Sequence, residues 1–320
     1  MRKKLVNTEK IQGYLYDTKL EKKTVKNEQS ANYGKEYIAG SIDVATSEDG
    51  MNVVTIKYTY ISPTTKNGGK NKTYDTLLQL INGGKTWVKD GKENALKVKI
   101  DTALALNEFF SDRSGEEQLI SAKENNGGFI TIVSEIEPVE EKRTKFECDM
   151  YITGYKDIDG DDERNILPHG ELSGWVFNFK GEPLPVTFKI RNERGLDYFR
   201  GLGINEHNPV FTLVRGILSS SSRTYKKEIE SAWGETEVEE QTYTSKEWTV
   251  TSSAPEAYPL GDAENGITPE DVKELKAVRE KTVAEIKAKR DAYEASKAGT
   301  DTFGGTTTTA PKATAAAYNF

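Results

Sequence analysis

Through the first 260 residues, apolar and polar positions alternate with period two in short runs rich in Val, Ile, Thr and Tyr, separated by Gly, Asn and Asp. That is the pattern of half-buried strands. Residues 38–44 (IAGSIDV) alternate strictly, and Ser47-Glu48-Asp49-Gly50 leads into a second run at 53–60, which predicts a hairpin. A different period begins at Thr268-Pro269-Glu270-Asp271: a capping residue, a first-turn proline and acids at the positive helix end. Val272, Leu275, Val278, Val283, Ile286 and Tyr293 then mark one apolar face, predicting an amphipathic helix over 268–298. Residues 299–320 are Thr/Ala/Gly-rich with few large apolar groups and predict a disordered tail, whose Tyr318-Asn319-Phe320 end suits a short docking peptide.

The strand pattern occurs twice. Ile38-x-Gly40-x-Ile42 reappears as Leu172-x-Gly174-x-Val176, 134 residues later. In both copies a glycine-containing turn (Gly50, Gly181) and a strand (53–60, 184–191) follow. A short helix (74–81, 196–203) and two further strands (96–106 and 128–136; 210–218 and 241–251) complete each copy. Each opens with an upstream strand, 11–20 and 146–158. Strand, strand, strand, helix, strand, strand is the order of the OB-fold, a five-stranded Greek-key barrel. The predicted class is therefore mainly β: two OB-fold-like barrels in tandem, a C-terminal helix and a disordered tail. The first domain spans 1–140 with a basic N-terminal arm and the second 145–260, dividing near 139–145.

Composition adjusts this picture in places. The chain has 320 residues, 35% of them hydrophobic, with mean hydropathy −0.67, as two small barrels and a polar tail would have. It holds no apolar run of the roughly 18 residues a membrane span needs and no apolar segment behind its basic start, so no membrane association or secretion is expected. One cysteine, Cys148, and two histidines, His169 and His207, leave too few soft ligands for zinc and fit a reducing, cytoplasmic setting. The net charge of −7 hides segregation: residues 1–26 carry eight Lys/Arg against three acids, and residues 57–99 carry nine lysines against Asp75, Asp90 and Glu93.

Enzyme signatures fail on inspection. Gly83-Gly84-Lys85-Thr86 lacks the earlier glycine of a phosphate loop, since position 79 is Gln79, and it reads as a glycine turn after a helix. Asp157-Ile158-Asp159-Gly160-Asp161 begins like a calcium loop but has Asp162 and Pro168 where glycine and glutamate belong. Cys148 alternates with Phe146 and Met150 on one strand face, as a buried thiol would. No catalytic residue, metal or cofactor is expected.

An OB barrel binds single strands across its second and third strands. Period-two sorting places Ile38, Ile42, Val44, Val54, Ile56, Tyr58 and Tyr60 inward in copy one, leaving Ser41, Thr55, Lys57 and Thr59 outside. In copy two Leu172, Val176, Val186, Phe188 and Ile190 point in. Trp175, Phe177 and Phe179 share the outer face with Thr187, Lys189 and Arg191 as a base-stacking stripe. The loop at 62–73, with Lys66, Lys70 and Lys72, is read as mobile and phosphate-following, and Arg215, Arg223, Tyr225, Lys226 and Lys227 serve copy two.

The segments IAGSIDVATSEDGMNVVTIKYTYI, LALNEFFSDRSGEEQLISAKENNGGFITIV, VFTLVRGILSSSSRTYKKEIESAWGE and EWTVTSSAPEAYP resemble phage-type single-stranded-DNA-binding proteins built from OB domains, over about residues 10–260. The resemblance implies a non-enzymatic, sequence-tolerant protein that coats single-stranded DNA in replication or recombination, in the host cytoplasm if phage-encoded. Replication or recombination proteins would dock on the C-terminal helix or the tail ending Phe320, although AAAYNF lacks the acidic run such tails often carry. The competing expectation is a scaffolding protein of a virion or other assembly, with β domains making protein contacts and the helix oligomerising.

Overall fold

A computed structural model describes the chain except residues 3, 113–114, 162–165, 231–235 and 299–320, with residues 220–245 and 296–298 described by backbone alone. The predicted tail and Phe320 lie outside the described residues, as do the side chains of Arg223, Tyr225, Lys226 and Lys227. Five strands of the first half, β1 (Asn7–Thr18), β3 (Glu36–Ala45), β4 (Val53–Ile61), β5 (Lys97–Ser111) and β6 (Gln118–Val133), close on themselves. β1 pairs with β3, β3 with β4, β4 in parallel with β6, β6 with β5, and β5 with β1. Helix α1 (Lys72–Gly83) follows the third barrel strand, capped by Asn71, and α2 (Trp87–Asp90) comes after it. A short β2 (Glu21–Thr24), exposed along its whole length, adds an edge to β3; its all-polar sequence carries no alternation to read.

The second half repeats the circuit with β7 (Thr144–Ile158), β8 (His169–Phe177), β9 (Pro183–Ile190), β10 (Val210–Glu230) and β11 (Thr236–Ser253). Here β7 pairs with β8, β8 with β9, β9 in parallel with β11, β11 with β10, and β10 with β7. Helix α3 (Glu193–Gly201) stands between β9 and β10. Both circuits have OB strand order, with the helix after the third strand. The repeated glycines now have a cause. A Cβ on Gly40 would lie 2.1 Å from the Lys19 carbonyl oxygen, and one on Gly174 would lie 2.1 Å from that of Tyr151. Gly40 sits where the chain just past the first strand of its barrel, and Gly174 where the first strand itself, passes too close for any side chain.

The barrels are joined rather than merely adjacent. β1 and β7 pair antiparallel from Asn7↔Cys148 to Ile11↔Thr144, so the described strands form one 11-stranded sheet. One cluster of buried side chains runs from Ile42, Ile56 and Leu77 through Phe146 and Cys148 to Phe188 and Val250. The inward sets match this core, with Ile38, Ile42, Val44, Ile56, Leu172, Val176, Phe188 and Ile190 all at 0% exposure.

Each barrel also sends out a long hairpin. β5 and β6 pair as far as Ser111↔Gln118, and β10 and β11 as far as Glu230↔Thr236, both well past the predicted strand ends. The extensions are mostly polar on both faces, so hydrophobic alternation stops where the barrel stops. The C-terminal helix α4 (Pro269–Ala298) starts with a reciprocal cap in which the Asp271 N–H donates to Thr268 Oγ1 (3.1 Å) and the Thr268 N–H donates to Asp271 Oδ2 (2.9 Å). Among the described residues no helix is long and apolar enough to cross a membrane.

Candidate nucleic-acid interface

The outer face of β3 and β4 carries Ser41, Asp43, Thr55 and Lys57. The Thr55 hydroxyl donates to Asp43 (2.6 Å) and Lys57 donates to Glu124 of β6 (2.5 Å). Period two breaks further along β4. Ile38 faces Ile61 while Gly40 faces Tyr58, so two residues of β4, Thr59 and Tyr60, oppose one of β3, Ala39. This bulge turns Tyr60 outward, correcting its expected place in the core, and leaves it 40% exposed. There it stacks on Tyr37, with ring centroids 4.7 Å apart and planes at 28°. The loop at 62–73 follows directly and carries its own backbone hydrogen bonds. Thr65 and Gly69 close it by a backbone hydrogen bond, Thr64 bridges Lys70, and Gly68 takes φ +78°. Lys66, Lys70 and Lys72 project into solvent, with Lys70 3.1 Å from Asp75.

On the second barrel, Lys189 and Arg191 both bond one carboxylate, Glu247 of β11, at 2.8 and 2.7 Å. Burial alone would raise the Glu247 pKa, but the hydrogen bonds from Lys189 and Arg191 outweigh it and hold the group at about 2. The aromatic stripe beside them is corrected. Phe177 is fully buried with Tyr151, Phe211, Ile267 and Leu275, and Trp175 packs against the same group. The segment around Tyr258–Ile267 and the start of α4 cover that part of the face, so these rings belong to packing. Phe179 is 91% exposed but sits in the turn beyond β8, where Lys180 lies 5.8 Å from its ring. Arg215, on β10, bonds Glu147 of β7 and lies off the β8–β9 face. Arg2, placed in a basic arm of the first barrel, instead stacks over Tyr258 at 4.0 Å.

Four residues escaped the pattern reading. In the parallel pairings Lys57 faces Asn126 and Lys189 faces Thr249, and the dipeptides Lys123-Glu124 of β6 and Lys246-Glu247 of β11 lie just before these positions. Each glutamate bonds the third-strand lysine of its own barrel. Lys123 donates to the Thr187 carbonyl of β9 in the other barrel (2.6 Å), and Lys246 lies in electrostatic range of Asp43 and Lys57. Burial and the neighbouring Lys189 charge pull the Lys123 pKa down to about 8.

Cys148 is buried with its pKa driven up by desolvation, and no cluster of three metal-ligating side chains occurs among the described residues.

Among solved structures, the single-stranded DNA binding protein of Thermus aquaticus is similar at 10% identity and TM-score 0.44, over 83% of this chain and 98% of that one. A deletion mutant of the same protein is similar at 12% identity and TM-score 0.42, over 81% and 96%. A Replication Protein A heterotrimer bound to single-stranded DNA is similar at 10% identity and TM-score 0.20, over 78% and 66%. No curated protein matches the sequence. The YorF family matches residues 6–289, nearly the whole of the described fold, and the chain belongs to that family.

Proposed function

We propose that this protein binds single-stranded DNA without turning it over and without strong sequence preference, coating strands exposed in replication or recombination. The observation that carries the reading is the outer β3–β4 face of the first barrel, where Tyr60, exposed and stacked on the half-buried Tyr37, precedes the Lys66–Lys70–Lys72 turn on the strand that carries Lys57. Stacked aromatics take any base on their faces, and lysines follow phosphates without reading sequence. Partners on the C-terminal helix or the tail ending Phe320, and a cytoplasmic setting, belong to the same proposal. The competing scaffold reading draws less support, because the buried residue of α4, Leu275, is already packed on the second barrel.

The test is fluorescence anisotropy of a labelled oligo-dT. Binding in the micromolar range or tighter at low salt is expected, with log K falling steeply against log salt. Tyr60→Ala is expected to weaken binding by about 1–3 kcal/mol for oligo-dT and mixed-sequence strands alike. Absence of binding at low salt overturns the proposal.

A further inference from the structure

On the outer face where the two barrels join, the strand registers set one row of residues across four strands. Phe129 of β6 stands opposite Asp101 of β5, Asp101 opposite Lys10 of β1, and Lys10 opposite Lys145 of β7. Lys99 lies two residues from Asp101 on the same face of β5, opposite Gln12. Lys10, Lys99 and Lys145 are all exposed, and among the described residues none of them forms an ion pair. Lys145 belongs to the second barrel and the other two to the first, so only the pairing of β1 with β7 brings the three together.

Charge is balanced differently here than on the other outer faces. Lys57 of β4 and Lys189 of β9 each hold a glutamate, Glu124 and Glu247. At the seam Glu147 is taken by Arg215, which leaves Asp101 as the one carboxylate of these rows to offset three ammonium groups. Like charges directly opposite across an antiparallel pair repel, so Lys10 and Lys145 do nothing to hold the barrels together. Phe129, at the far end of the row, is 75% exposed and belongs to neither buried cluster, so it does not serve the core either. Free cations beside an open ring are what a strand contact blind to sequence uses.

We propose that this seam face is a second contact surface for single-stranded DNA, separate from the β3–β4 face, with phosphates on Lys10, Lys99 and Lys145 and a base against Phe129. Each ammonium offers three donors to phosphate oxygens. Strand spacing puts Phe129 about 14 Å from Lys145, three strands away. A backbone lying over the lysines passes from the first barrel to the second, because Lys145 stands one strand beyond Lys10. Neither barrel alone carries the surface. This rests on the single-stranded-DNA reading above and adds a further face and its residues.

The experiment is anisotropy across a salt series with the full chain and an oligo-dT of about 30 nucleotides, long enough to reach both barrels. The triple variant Lys10→Gln, Lys99→Gln, Lys145→Gln is expected to bind about tenfold more weakly at low salt. Its slope of log K against log salt is expected to be shallower by about 2, three phosphate contacts at about 0.7 each. A control removes the same charge from exposed positions of α4, by Lys273→Gln, Lys276→Gln and Lys281→Gln, and is expected to keep the slope. Phe129→Ala is expected to bind several-fold more weakly at an unchanged slope. All these side chains are exposed, so no packing is lost with them. An unchanged slope in the triple variant, an equal fall in the α4 control, or full affinity in Phe129→Ala overturns this inference alone. Failure of the unmodified protein to bind overturns the single-stranded-DNA reading as well.

Discussion

Glu9 lies on β1 between Thr102 of β5 and Phe146 of β7, at the seam of the two barrels, with no solvent exposure. Trp248 Nε1 donates to its Oε1 at 2.9 Å, while Oε2 has no partner. Burial lifts its pKa from 4.5 to about 8, only partly offset by the Trp248 hydrogen bond, so the carboxyl stays protonated at neutral pH. With the folded value raised, the folded state binds the extra proton between those two values. Stability tied to this group is full below about pH 4.5, declines as pH rises and levels off above about pH 8. The loss is on the order of a few kcal/mol. Urea midpoints of Glu9→Gln are expected to exceed wild type by more at pH 9 than at pH 5; equal differences would show that the ionisation contributes nothing.

Helix α4 binds by two kinds of contact in sequence. Val272 and Leu275 pack on Tyr151, Phe177 and Phe211 of the second barrel. One turn on, Arg279 bonds both oxygens of Glu108 at 2.5 and 2.6 Å, and Lys287 and Arg290 both reach Glu117, beyond the Phe109–Phe110 stretch of the first barrel's hairpin. The helix thus straps the β5–β6 hairpin to the opposite barrel. Burial works against the Glu108 charge, but hydrogen bonds from Arg279 and Ser121 keep its pKa below the usual range. Removing Arg279 leaves that half-buried carboxylate short of donors, a cost of about 1–3 kcal/mol. Arg279→Ala is expected to speed amide exchange in the outer half of β5–β6 and in the second half of α4, leaving the barrel strands protected. Unchanged exchange in the hairpin would mean the strap is not what holds it.

The molecule as a whole is tied together by backbone pairing of β1 with β7, by one continuous core cluster, and by hairpins laid across opposite barrels. Units that share a sheet and a core open together. Calorimetry of the full chain is therefore expected to show one transition, with van't Hoff and calorimetric enthalpies equal. Two resolved transitions would mean the barrels are thermodynamically separate. Of the acids on the basic face, Glu124 and Glu247 are bonded to the lysines and Asp43 to the Thr55 hydroxyl rather than spread as a repelling field, within a net charge of −7.

Local chemistry along the chain determined the barrels. Alternation at 38–44 and 172–176, the glycines Gly40 and Gly174, the helix after each third strand and the Thr268 cap all act within a few residues, so they were legible in order. Even Lys57, Lys189 and Arg191 were placed on their outer faces by period two. Tertiary structure decided which outward residues stay outward. Phe177 met period two and is still buried, because a segment 80 to 100 residues later in the chain covers it. Tyr60 violated it, because a single extra residue in β4 reverses a face, and a bulge has no hydrophobic signature. Lys123 and Lys246 gained their positions from strands whose polar extensions bury no continuous face of their own. Periodicity records burial by a residue's own barrel, while contact with the other barrel follows from how the two halves meet.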